Sequence, residues 1–130
     1  MKPLPYFLVL LVHFSSFGAI QADIVDGLSA HFKGANSKEI AAHFSSSIDL
    51  IIIEEEDVYS KAQAEQILRS FFTKYVPVKS SVIHRLNTNP NYRYGALSLA
   101  TKNGTFRVSI TMKKTGNAFL ITELRIEAEK

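Results

Sequence analysis

At 130 residues the chain is sized for one domain, and its formal charge of +3 comes from 15 basic and 12 acidic residues. It has no cysteine, which excludes disulfide staples, thiol nucleophiles, Cys-based zinc sites and a lipid-modified N-terminal cysteine. So small a positive excess leaves no electrostatic footprint for nucleic acid, and no such partner is expected.

Residues 1–22 read as a secretory signal peptide. Lys2 is a short positive start, "LPYFLVLLVHF" an apolar centre, and "AIQA" ends in the small Ala22. The apolar run is shorter than the roughly 20 residues of a membrane span. Cleavage after Ala22 would leave a single domain, residues 23–130, with no integral membrane span. Export without disulfides suits a bacterial envelope, with the protein periplasmic or secreted.

The domain opens on a helix. Asp23 is its N-cap, Asp26 adds negative charge to the first turn, and Ile24, Val25, Leu28 and Phe32 follow at helical spacing. Gly34 is the expected left-handed stop. Asn36 and Glu39 form a capping pair for a shorter helix with Ile40, His43 and Phe44 on one face, ended by Ser45 to Ser47. "IDLIII", residues 48–53, is the first strand, apolar on both faces and so covered on both for part of its length. After the acidic block Glu54 to Asp57, Ser60 and Gln63 form a capping box. Ala64, Ile67, Leu68, Phe71, Phe72 and Tyr75 trace the apolar stripe of a third helix, which Pro77 stops.

The remainder reads as β, over residues 78–86, 92–102, 105–114 and 119–127. Asn103-Gly104 predicts a type I′ hairpin turn, which sets Leu99 opposite Val108 and Leu97 opposite Ile110 on one dry face. At the next hairpin a two-residue turn at Gly116-Asn117 alone would carry Glu123 and Arg125 onto that dry face. A longer loop or a bulge would put Leu124 and Ile126 there instead. The shifted register is the expected one, since burying both charges is costly. The fold class is α+β in the order α-α-β-α-β-β-β-β, with helices packed on the concave face of a curved antiparallel sheet.

With its residues, that order resembles the nuclear transport factor 2-like (cystatin-like) cone. More narrowly, the chain is similar to an exported Bacteroidota family, domain of unknown function 4783. The stretches that carry the similarity are "HFKGANSKEIAAHFSSSIDLII", "YSKAQAEQILRSFF", "YGALSLATKNGTFRVSI" and "LRIE". The resemblance implies a cone and an export route. It brings no activity, cofactor or catalytic residue with it.

Read on its own, the acidic block is structural. Successive side chains of an extended strand diverge, and the spaced oxygen ligands of a calcium loop are missing, so no metal is expected. The histidines have no ligand spacing, and no nucleophile elbow or phosphate loop occurs. "HRLNTNPNYRY" mixes basic and aromatic residues, but an ordinary hairpin accounts for it. The expected function is a non-enzymatic binding or assembly module. Its partner would be a small apolar ligand or a protein, with a homodimer through the outer sheet face as one form. Residues expected around a cavity are Phe32, Phe71, Tyr75, Leu97, Leu99, Val108 and Ile110, most of them as plain core. The rival is a pocket enzyme of the ketosteroid-isomerase-like type, which needs an ionisable group in a dry cavity. Asp49, Tyr59, Glu123 and Arg125 are the polar candidates for such a site.

Overall fold

The computed structural model describes residues 23–129, so the signal segment expected at residues 1–22 lies outside the described residues. Its elements are α1 (Ile24–Lys33), α2 (Ser37–Ala41), β1 (Phe44–Ile52), β2 (Glu55–Ser60), α3 (Lys61–Lys74), β3 (Pro77–Leu86), β4 (Tyr92–Thr101), β5 (Gly104–Thr115) and β6 (Ala118–Ala128). The strands form one sheet in the order β2-β1-β6-β5-β4-β3. All neighbours are antiparallel except β1 and β6, which run parallel. The helices fill the concave side, with α1 against β3 and β4, and α3 against α2, β1 and β2.

The inner face is dry because register and apolar alternation agree. Leu97, Leu99, Val108, Ile110, Leu124 and Ile126 are all fully buried, with Phe32, Leu68 and Ile40 of the helices against them. Each such side chain contributes roughly 1.5–3 kcal/mol through burial. α1 lies so close to β4 that a Cβ on Gly95 would stand 2.6 Å from Cγ1 of Val25. The N-terminus of α1 is clasped to β3. Arg85 donates two hydrogen bonds of 2.9 Å to Asp26 and pairs with Asp23 at 3.4 Å. Asn87 donates a further bond to Asp23.

Several local expectations are corrected. Gly34 has φ −85, and Ala35 is the left-handed residue at φ 54. Bonds from Ala35 N–H to the Phe32 carbonyl and from Asn36 N–H to the His31 carbonyl form the Schellman pattern, so the closing position falls one residue later. α2 stops at Ala41, and Ser45 to Ser47 belong to β1. There, pairing of Phe44 with Ile121, and the bond from Ile121 N–H to the His43 carbonyl, override the helical stripe. Glu55 to Asp57 of the acidic block form the first half of β2, a short edge strand that the sequence did not announce, folded back on β1.

At the β4–β5 hairpin the tip is Lys102-Asn103, and Thr101 pairs with Gly104. Leu99 therefore faces Phe106, and Leu97 faces Val108. The slide is two residues, an even number, so every side chain keeps its expected face. Thr101 Oγ1 donates to the Gly104 carbonyl at 2.6 Å and accepts from Asn103 N–H. Gly104, at φ 120, takes the conformation that another residue would resist.

The β5–β6 hairpin has both a two-residue turn and a bulge. Thr115 pairs with Ala118, Gly116 takes φ 65, and the register then breaks so that Thr122 is the extra residue. Beyond it Ile110 faces Leu124 and Val108 faces Ile126, the register expected from the cost of burying charge.

Candidate functional site

α3 starts where Ser60 and Gln63 close a reciprocal capping box. It ends where Asn103 at the tip of the β4–β5 hairpin donates its side-chain amide to the Lys74 carbonyl at 2.9 Å, satisfying a carbonyl that the helix leaves open. One flank of its last turns faces the tip of the β1–β2 hairpin. Ile53 makes that tip possible at a cost. Its φ of 62 is left-handed, a strained state for a β-branched residue. A 2.7 Å bond from its N–H to the Ile126 carbonyl holds it there.

Between hairpin tip and helix lies an open groove of about 440 Å³, lined by Ile52, Ile53, Glu54, Glu55, Ile67, Ser70, Phe71, Lys74 and Tyr75. Its size falls within the range of small-ligand pockets, roughly 300–1,000 Å³. The helix wall is aromatic. The rings of Phe71 and Tyr75 stack at 4.9 Å, and Phe106 meets Tyr75 edge-on at 4.8 Å and Phe71 at 5.2 Å. Lys74 Nζ stands 5.4 Å from the Tyr75 centroid, within cation–π reach. Glu54 and Glu55 on the hairpin wall are exposed, and neither joins an ion pair among the described residues.

Of the residues expected around a cavity, Phe71 and Tyr75 line this groove. Phe32, Leu97, Leu99, Val108 and Ile110 are sealed in the core, each at 0 % exposure, and line nothing. None of the polar candidates reaches it. Asp49 pairs with Glu123, and Ile51 with Arg125, on the outer face of the sheet. Arg125 bridges Glu123 at 3.6 Å and Glu127 at 3.4 Å, with all three side chains about two-fifths exposed. Tyr59 sits opposite Ile48, half-buried against the core. The sequence reading missed Ile52, Ile53, Ile67, Ser70 and Lys74, and it gave Glu54 and Glu55 no ligand role. Ile67 carried a signal, as the stripe residue at the edge of the apolar arc of α3.

Three places outside the groove carry shifted acidities. The Asp49 carboxylate, with some burial and a hydrogen bond between the two, pushes the Glu56 carboxyl up. Burial, helped by His31 and Lys61 and opposed by Glu39, pushes His43 down. The Arg85 hydrogen bond holds Asp26 below the usual carboxylate range. At Asp23, burial alone would raise the carboxyl, but bonds from Asn87, Val25 and Arg85 outweigh it. No group of three or more His, Asp or Glu among the described residues is placed to hold a metal ion. No described helix is long and apolar enough to cross a membrane.

The sequence profile of the domain of unknown function (DUF4783) matches residues 25–127. A DUF4783 family protein from Bacteroides uniformis has a crystal structure similar to this one over 83% of this chain and 99% of its own. The two are 27% identical, with a TM-score of 0.79. A second, from Bacteroides ovatus, is 28% identical with a TM-score of 0.76, over 85% and 96% of the two chains. A domain with a cystatin-like fold from Nostoc punctiforme, 10% identical, aligns over 85% of this chain and 80% of its own. Its TM-score of 0.64 shows a shared fold alone. No curated protein matches. With the family profile spanning nearly all of the described residues, on a cone of the nuclear transport factor 2-like kind, this chain belongs to the DUF4783 family.

Proposed function

We propose that the domain is a non-enzymatic binding module of the bacterial envelope, exported by the segment 1–22, whose groove takes a small ligand with a substantial apolar part. The observation that carries this reading is the groove itself: isoleucines and a half-buried Tyr75, its ring stacked on the buried Phe71, beside a strained, half-exposed Ile53. Strain of that kind persists where the surrounding fold holds it, often at binding sites. The outer sheet face carries both signs, with Arg125 beside Glu123 and Arg107 opposite Glu127, and is where a second copy would pair. The rival enzymatic reading has less support. Its carboxylates face away from the core, and the only buried polar residues among those described are Ser29 and Ser37.

Native mass spectrometry of the protein purified from its own envelope tests the proposal. The expected result is a chain beginning at Asp23 that retains a small adduct, lost when Phe71 and Tyr75 are both replaced by alanine. A chain that keeps residues 1–22 in the membrane fraction would overturn the export reading. An adduct indifferent to the double substitution would overturn the groove.

A further inference from the structure

Resting on the groove reading above, we propose that the groove selects a small amphipathic ammonium: an apolar body that lies on the isoleucines and a cationic head held at Tyr75 and the two hairpin carboxylates.

Sign comes first. The groove holds two carboxylates, Glu54 and Glu55, against one ammonium, Lys74, in a chain whose overall charge is positive. The charges do not neutralise one another, since no pair among them comes within salt-bridge distance. Lys74 lies instead over Tyr75. A cationic head entering the groove gains two unpaired anions, whereas an anionic head must approach them.

The aromatic wall points the same way independently. An electron-rich ring face attracts a cation, and the Tyr75 face already holds one, at 5.4 Å. Stacking on Phe71 and the edge of Phe106 fix that ring in place. Lys74 is exposed, so its flexible stem can swing to solvent and yield the ring to a ligand ammonium. Ile52, Ile53 and Ile67 then offer the body of the ligand an apolar surface next to the head.

Three probes that share one ring and differ in the head test this: phenethylammonium, phenethyl alcohol and phenylacetate. Each is titrated into the full domain while the backbone amides of Ile52, Ile53, Phe71 and Tyr75 are followed by NMR. The ammonium is expected to bind about fivefold to tenfold more tightly than the alcohol, with phenylacetate weakest. Replacing Glu54→Gln together with Glu55→Gln should bring the ammonium down to the alcohol. Lys74→Ala, which vacates the Tyr75 face, should tighten the ammonium. These positions are exposed, and a retained cooperative melt will show that the variants fold. If alcohol and ammonium bind equally, the charge selection fails while the groove reading stands. Should phenylacetate bind best, Lys74 sets the sign and the inference is wrong. If no groove amide moves with any probe, both fail.

Discussion

Among the described residues, two that are left-handed are not glycine. Ala35 closes α1 at φ 54, and Ile53 turns the β1–β2 hairpin at φ 62. A side chain at such a φ costs on the order of 1 kcal/mol. Ala35→Gly is therefore expected to stabilise the domain by about that amount in urea titration. Ile53→Gly should also raise stability but weaken ligand binding, because the same residue lines the groove. Gly95 is the opposite case. Gly95→Ala forces a methyl into Val25 and should cost about 1–3 kcal/mol. In the double variant with Val25→Ala the two losses should fall short of their sum, because the clash goes with the valine methyls. His43 adds a pH dependence. Its folded pKa is pushed down by burial, beside His31 and Lys61 and despite Glu39. Below its usual value near 6.5 the unfolded chain binds a proton that the folded one resists, so stability is full above about pH 6.5 and drains as pH falls. His43→Asn should flatten that part of the melting profile.

At the level of elements, α1, α3 and the four long C-terminal strands could be read from the chain because propensity, caps and period agree there. Removing the α3 cap with Ser60→Ala should cost about 1 kcal/mol. β2 could not be read. Its hairpin turns at Ile53-Glu54, which carry none of the Gly, Asn or Asp signals of a turn, and only pairing with β1 makes "EEDVYS" a strand. The β5–β6 register was legible only through the cost of the wrong answer. Its device is the bulge at Thr122. Deleting Thr122 should leave Leu124 and Ile126 facing inward and the unfolding cooperative, at a lower melting temperature. Deleting Leu124 would instead carry Arg125 toward the core, and the cooperative transition should vanish. Glu123→Ala, on the outer face, should change stability by no more than about 0.5 kcal/mol.

At the scale of the whole molecule, the sheet formed by the described residues has two edges, and each is blunted. β2 is short and acidic, and β3 starts at Pro77 and breaks register at Val78 and Ile83. The groove was the least legible feature because it joins residues 52–55 to residues 67–75 across a turn that sequence pattern does not reveal. The position of β6 has a consequence for the life of the chain before it folds. In the sheet, β6 alone joins β1 and β2 to β3, β4 and β5. Until the segment from Ala118 to Ala128 is available, the first strands have only each other, and a hairpin of two strands is marginal by itself. The sheet therefore closes only when β6 joins it, and β1 and β2 stay unsettled until that segment has been made. Ending the chain at Asn117 should abolish the cooperative melt, and adding residues 118–129 as a separate peptide should restore it.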